Sequence, residues 1–104
     1  MVFAEDEGVM MDIGFLWDAN KYQRVVQQHQ VHFYEVVSAF DDPQGYELPD
    51  PNDYTDRWLW IGKTCNERVL FIIYSDEELP LYRIITAYDA EGRWVYEYNR
   101  QAGI

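Results

Sequence analysis

The N-terminal half of the chain contains two segments whose apolar residues recur at helical spacing, residues 19–28 and 33–40. The recurring residues are Tyr22, Val25 and Val26 in the first segment and Phe33, Val36, Val37 and Phe40 in the second. Spacings of three and four place side chains on one face of a helix. Asp18 is a good N-cap for the first segment, and the Asp-Asp-Pro sequence at 41–43 ends the second. The pattern therefore predicts two helices, the first of them on the surface.

Three segments of the C-terminal half have the composition of strands: residues 57–61, 68–75 and 81–88. They are rich in β-branched and aromatic residues, which are common in strands. Residues 68–75 are apolar at nearly every position, which is typical of a central strand that is buried on both faces. Residues 43–56 hold three of the four prolines and are predicted to form a loop.

A third helix is predicted at residues 89–101, although Gly92 lies inside this segment. The apolar residues that could cover the sheet are Trp94, Val95 and Tyr98. Residues 1–12 are predicted to be a frayed acidic extension, which leaves residues 13–104 as a single domain. The order of elements predicts an α+β fold, with a small antiparallel sheet of three to four strands, two N-terminal helices and one C-terminal helix.

Net charge is the unusual feature of the composition, because 19 acidic residues outnumber 8 basic ones and give −11 at pH 7. Such a surface keeps a protein soluble, repels nucleic acid at long range and favours a basic partner. No apolar run approaches the roughly 18 residues of a membrane span, and the acidic start does not resemble a signal peptide. A single cysteine, Cys65, fits a reducing compartment. We therefore expect a cytoplasmic protein.

Both histidines of the chain lie in QQHQVHFYEV, residues 27–36, with Glu35 three positions after His32 and six after His29. This spacing suggests a metal site, an acid–base site, or polar residues beside a helix end. No second cluster of histidine or cysteine completes a tetrahedral zinc site, so we expect neither a metal nor another cofactor. Cys65 has no evident histidine partner and is not predicted to be a nucleophile.

Six phrases of the chain resemble the BrnT family of ribonuclease toxins from type II toxin–antitoxin systems. They are FLWDANK (15–21), HQVHFYEV (29–36), AFDDP (39–43), RWLWIGKT (57–64), RVLFIIYS (68–75) and YRIITAYDA (82–90). The resemblance implies a RelE/BrnT-like toxin fold that cleaves RNA without a metal. It also implies a DNA-binding BrnA-like antitoxin that covers the active surface, and it leaves a homo-oligomer open.

The resemblance also implies roles for individual residues. The implied catalytic residues are His29, Glu35, Arg68 and Arg83, and the implied substrate-binding residues are Lys21, Arg57 and Arg93. Such cleavage needs groups that move protons and cations that stabilise the phosphorane, and these residue types supply both. Structural alternatives stay open, because His29 could be a polar helix-end residue and Glu35 a capping-box carboxylate. The two arginines could equally form ion pairs with the many acids.

The chain departs from the family pattern at several positions. Gln28 replaces a lysine, Gln30 a glycine, His32 a serine, Tyr88 an arginine, Asp89 a basic residue, and Trp94-Val95 a Glu-Arg pair. The basic residues of the family are lost at Gln28, Tyr88, Asp89 and the Trp94-Val95 pair, and their loss predicts weakened RNA cleavage. The alternative is a non-enzymatic acidic interaction protein, for example a phage-encoded inhibitor that mimics nucleic acid; an orphan regulator that titrates an antitoxin is a third possibility.

Overall fold

The computed structural model describes residues 2–4 and 8–103, which form seven strands and three helices. The strands are β1 (Val2–Ala4), β2 (Val9–Asp12), β3 (Phe15–Asp18), β4 (Tyr46–Pro49), β5 (Arg57–Lys63), β6 (Val69–Ser75) and β7 (Tyr82–Asp89). The helices are α1 (Ala19–His29), α2 (Phe33–Phe40) and α3 (Arg93–Ala102).

All seven strands belong to one mixed sheet with the order β1-β2-β3-β7-β6-β5-β4. Every neighbouring pair is antiparallel except β3 and β7, which are parallel. The α+β class is confirmed, but the prediction of three to four antiparallel strands is wrong. The additional strands have three or four residues each, too few to show an alternating pattern, and β4 lies in the predicted proline-rich loop. Within the segment predicted as an acidic extension, Val2–Ala4 and Val9–Asp12 form strands. The division into an extension and one domain stays a prediction.

The helices cover both faces of the sheet. On one face, α1 and α2 bury Tyr22, Val25, Phe33 and Val36 against alternate residues of β6, Leu70, Ile72 and Tyr74. On the other face, Tyr98 of α3 packs with Phe71, Ile73, Leu59 and Ile61. Strand β6 is therefore buried on both sides, as predicted for the central strand. The helices and the sheet therefore form a three-layer arrangement.

The two N-terminal helices agree with the prediction. Asp18 is the N-cap of α1, and its side chain accepts a hydrogen bond of 2.9 Å from the backbone N–H of Lys21. Helix α3 instead begins four residues later than predicted, because β7 continues to Asp89 in register with Leu70. Gly92 is its N-cap, with a φ of 55° that favours glycine, and so lies outside the helix. No helix in residues 8–103 is long and apolar enough to span a membrane.

Candidate functional site

The two histidines lie on either side of a helix break. His29 is the last residue of α1, Gln30 has left-handed backbone angles (φ 53°, ψ 39°), and His32 is the N-cap of α2. The left-handed residue reverses the chain, so His29, His32 and Glu35 do not share one helical face. The imidazole of His29 lies 5.4 Å from the ring of Tyr88, whereas that of His32 stacks on Tyr34. His32 therefore occupies the N-cap position of α2.

Arg68 connects the end of α1 to the sheet. Its terminal nitrogens donate to the backbone carbonyls of His29 (3.2 Å) and Gln30 (2.7 Å), two groups at the helix end that need partners. It also donates to both carboxylate oxygens of Asp89, each at 3.0 Å. A further donation to Glu35, at 3.2 Å, completes the set. Each of the five N–H groups of the guanidinium therefore has an acceptor.

Glu35 is the buried side of this cluster, with 3% of its side chain exposed. Its carboxylate accepts from the backbone N–H of His32 (3.1 Å), from the amide of Asn66 (3.2 Å) and from Arg68. Burial alone would raise the pKa of Glu35, but these hydrogen bonds and the charge of Arg68 outweigh burial and lower it. Glu35 is therefore an ionised capping-box carboxylate whose two oxygens are both occupied.

This cluster fixes the position of His29 rather than offering a free cation. The carboxylate of Asp89, against the effect of burial, raises the pKa of Arg68, and Glu35 adds to the effect. Both candidate groups beside His29, Glu35 and Arg68, are thus paired with each other. The contacts of Glu35 are those of a capping-box carboxylate, and the contacts of Arg68 are those of an ion pair. The imidazole of His29 is the group left to face the surface.

A cleft of about 690 Å³ opens beside His29. It is lined by Gln28, His29, Gln30, Tyr88, Asp89, Glu91, Gly92 and Trp94, and we refer to it as the aromatic–acid cleft. Asp89 and Glu91 are exposed acids. Burial, followed by the carboxylates of Asp50 and Glu91, raises the pKa of Tyr88. The surroundings of His29 are therefore aromatic and negative.

A second cleft, of about 560 Å³, brings together three of the predicted site residues: Lys21, Arg57 and Arg83. The remaining lining residues are Asp56, Ser75, Glu77, Glu78 and Ile85, and we refer to this site as the lysine–arginine cleft. Its three cations are matched by three carboxylates, so it carries no net positive charge.

Arg83 is the most constrained cation of the lysine–arginine cleft. Its Nε and one terminal nitrogen donate to the two carboxylate oxygens of Glu78, at 2.6 and 3.0 Å. Each partner shifts the pKa of the other, so that of Glu78 is lowered and that of Arg83 is raised. The guanidinium of Arg57 lies 4.3 Å from the ring centre of Tyr54, a cation–π contact.

A shallow groove between α1 and β7 links the two clefts. Its lining residues are Lys21, Arg24, Val25, Gln28, Ile85 and Thr86. It shares Lys21 and Ile85 with the lysine–arginine cleft and Gln28 with the aromatic–acid cleft. The distance along α1 from Lys21 to His29 is roughly 12 Å at 1.5 Å per residue. The sites are therefore neighbours on one surface.

Arg93 lies away from this groove. Its guanidinium is 4.2 Å from the ring centre of Trp94 and lines a separate cleft with Tyr46, Leu48 and Glu97. The structure thus places the seven predicted site residues in three places: the Arg68 cluster, the lysine–arginine cleft and the cleft at Arg93. Across residues 8–103, no group of three or more histidine, cysteine or acidic side chains could hold a metal ion.

Sequence reasoning missed two partners that determine the state of the arginines, Asp89 and Glu78, and the Asn66 amide that donates to Glu35. Arg68 and Asp89 are separated by 21 residues and meet because β6 and β7 pair with Leu70 opposite Asp89. An arginine just before one strand and an acid at the end of its antiparallel neighbour is the signal that could have identified this pair. The Glu78 contact depends on the conformation of a turn, for which the sequence carries no such signal.

A family model described as "Ribonuclease toxin, BrnT, of type II toxin-antitoxin system" matches residues 17–93. The fold is similar to the crystal structure of the Brucella abortus ribonuclease toxin BrnT, with a TM-score of 0.53 and 21% sequence identity. That similarity covers 73% of this chain and 94% of the Brucella chain. No curated protein sequence matched the chain.

Proposed function

Because the chain belongs to the BrnT family of ribonuclease toxins from type II toxin–antitoxin systems, we propose that it is a metal-independent ribonuclease of weakened activity. The family implies an antitoxin partner. We further propose that this partner is a BrnA-like, DNA-binding protein, and that RNA and antitoxin compete for the surface around α1 and β7.

The groove between α1 and β7 is the proposed path of the RNA. Lys21, Arg24 and Arg57 lie along it or at its end, and none of them has a carboxylate within salt-bridge distance among residues 8–103. Cations of this kind bind the phosphate backbone without reading its sequence. The groove ends at Gln28, which also lines the cleft beside His29, so a strand held by these cations would pass the imidazole.

His29 is the proposed proton-transfer residue. In metal-independent cleavage the 2′-oxygen attacks the neighbouring phosphorus, a base removes the 2′-hydroxyl proton, and an acid protonates the departing 5′-oxygen. An imidazole changes charge near neutral pH and suits either step. The bond from Arg68 to the His29 carbonyl fixes the backbone from which the imidazole projects. Glu35 is accordingly a positioning residue in this proposal, and Arg68 positions His29 until it exchanges a carboxylate for the phosphate.

The occupied guanidinium of Arg68 is the observation that carries the proposal of weakened activity. A phosphorane needs donors aimed at its developing charge, and removing one such donor typically costs about 100- to 1,000-fold in rate. Arg68 is held by Asp89 and Glu35, and Arg83 is held by Glu78. Each arginine must exchange a carboxylate for the phosphate, and the acid left behind repels the RNA.

The test is cleavage of an RNA oligonucleotide in the presence of a chelator by wild type, His29→Ala and His32→Ala. His32 is the matched control, because it is the second histidine of the same loop and its ring faces Tyr34. We expect slow cleavage by wild type and His32→Ala and at least a 100-fold loss in His29→Ala. Equal cleavage by wild type and His29→Ala would refute a role for this histidine.

A second candidate function is a non-enzymatic acidic interaction protein that mimics nucleic acid. It is favoured by the net charge of −11 together with the carboxylates that hold Arg68 and Arg83. This function predicts that no RNA is cleaved by wild type, nor by the Asp89→Asn variant in which Arg68 loses its exposed carboxylate. Cleavage by either protein that depends on His29 would exclude it.

A further inference from the structure

The aromatic–acid cleft beside His29 has the wrong charge for a phosphate. Its lining includes the carboxylates of Asp89 and Glu91, and no lysine or arginine lines it among residues 8–103. Asp89 is paired with Arg68, but Glu91 has no salt-bridge partner in that part of the chain. An anion entering this cleft would meet uncompensated negative charge, whereas a cation would be attracted.

The walls of the cleft are rigid aromatic rings. Tyr88 stacks on Phe71 with a centroid separation of 4.8 Å and an interplanar angle of 10°. Phe71 also meets Trp94 edge to face at 5.5 Å. Because both rings are held by the same phenylalanine, neither loses much freedom when a ligand contacts it, which favours binding.

Trp94 already binds one cation of the chain. It lines the aromatic–acid cleft and also the cleft that contains Arg93, whose guanidinium lies 4.2 Å from the indole. Arg93 lines only the second of these clefts, so the side of Trp94 toward His29 remains available. Guanidinium groups stack on indole and phenol rings and pair with carboxylates, and this cleft offers both kinds of contact.

We propose that the aromatic–acid cleft is the receptor for an arginine side chain of the antitoxin, which stacks on Trp94 and Tyr88 and pairs with Glu91. The bound side chain lies against His29 and blocks the end of the RNA groove. The source of the arginine rests on the proposed function, but the arginine site itself does not depend on RNA cleavage. The cleft volume of about 690 Å³ leaves room for residues flanking the arginine.

The test is a titration of ¹⁵N-labelled full-length protein with the peptide acetyl-Gly-Arg-Gly-amide, followed by amide chemical shifts. The matched peptide carries citrulline, which keeps the shape of arginine and removes its charge. We expect the arginine peptide to shift the amides of residues 28–30 and 88–94 in a saturable way. The citrulline peptide should bind at least roughly two- to five-fold more weakly than the arginine peptide, because it loses the cation–π contact.

Two variants complete the test. Glu91→Gln should weaken the arginine peptide by roughly two- to five-fold through loss of one ion pair. Glu77→Gln is the control, since it removes an exposed acid from the lysine–arginine cleft and should leave the affinity at the wild-type value. Equal binding of the two peptides, or equal binding by Glu91→Gln and wild type, would overturn the proposal.

A nucleotide is the competing ligand, because aromatic rings also stack on bases. The same titration is therefore repeated with uridine monophosphate and with guanosine monophosphate. The proposal expects both nucleotides to bind the cleft more weakly than the arginine peptide does. If the amide shifts of residues 88–94 show that either nucleotide binds more tightly than the arginine peptide, the cleft is a nucleotide site. Neither the peptide titration nor the nucleotide titration measures cleavage. A protein that binds the arginine peptide but cleaves no RNA would therefore contradict only the proposed ribonuclease function.

Discussion

Arg68 and Asp89 form a bidentate ion pair, with Nε and one terminal nitrogen of the guanidinium each 3.0 Å from a carboxylate oxygen. The pair joins the start of β6 to the end of β7, and the same guanidinium holds the last carbonyls of α1. One acid therefore influences both a cation beside His29 and the helix end on which His29 lies.

The first prediction is that this ion pair contributes little to stability. Asp89 has 55% of its side chain exposed, so water screens its interaction with Arg68. We expect Asp89→Asn to lower the free energy of unfolding by less than about 1 kcal/mol. Urea denaturation followed by circular dichroism measures the change. A loss above about 2 kcal/mol would mean that Asp89 is a structural residue and not only a neutraliser of Arg68.

The second prediction is that Glu35→Gln is far more costly. Glu35 is buried and its charge satisfies Arg68, so the substitution leaves the guanidinium with an uncompensated inner face. We expect a loss of about 3 kcal/mol. The amide oxygen of glutamine can still accept from the His32 N–H, which limits the damage, but it cannot also replace the second carboxylate oxygen, which accepts from Asn66. Comparing Glu35→Gln with Asp89→Asn in the same denaturation experiment tests whether burial determines how much free energy of unfolding each carboxylate contributes.

The third prediction concerns pH. The folded pKa of Glu35 is lowered relative to an unfolded value of about 4.3. Its ionised form therefore contributes stability that is fully present above about pH 4.3 and is lost as the pH falls through the folded pKa. We expect wild type to lose more stability than Glu35→Gln between pH 6 and pH 3. Parallel pH curves for the two proteins would show that Glu35 gains nothing from its partners.

The sequence predicted the helices around His29 better than it predicted the sheet. Apolar spacing and the Asp18 cap are local signals, so α1 and α2 were assigned within one residue of their ends. The short strands β1 to β3 are stabilised by pairing with β7 and with each other, which depends on distant parts of the chain. The candidate site shows the same division: the sequence predicts which residues could act, but whether Arg68 and Arg83 are free depends on acids brought near by tertiary structure.

The fourth prediction concerns the helix break at Gln30. Its left-handed conformation is strained for a residue with a side chain, whereas glycine adopts it readily. We expect Gln30→Gly to raise the free energy of unfolding by about 0.5–1 kcal/mol. Gln23→Gly, at an exposed position within α1, is the control and should lower it by about 0.5–1 kcal/mol. The same sign for both variants would contradict the assigned conformation of Gln30.

The fifth prediction concerns RNA binding in the lysine–arginine cleft. Glu78→Gln frees Arg83 for phosphate, and one additional contact to single-stranded RNA should steepen the plot of log affinity against log salt by about 0.7. Glu97→Gln is the matched control, because it frees Arg100 on α3 instead. Fluorescence anisotropy with labelled RNA at several salt concentrations gives both slopes. An equal change in the two variants would place the RNA elsewhere.

The most direct test of the account is a cleavage cycle with wild type, Asp89→Asn, His29→Ala and the double variant, under single-turnover conditions with a chelator. Releasing Arg68 from its exposed carboxylate should increase the cleavage rate about 10-fold or more, a fraction of what one phosphorane donor contributes. The increase should vanish when His29 is replaced. A rate for Asp89→Asn equal to wild type, or an increase that persists in the double variant, would contradict the account.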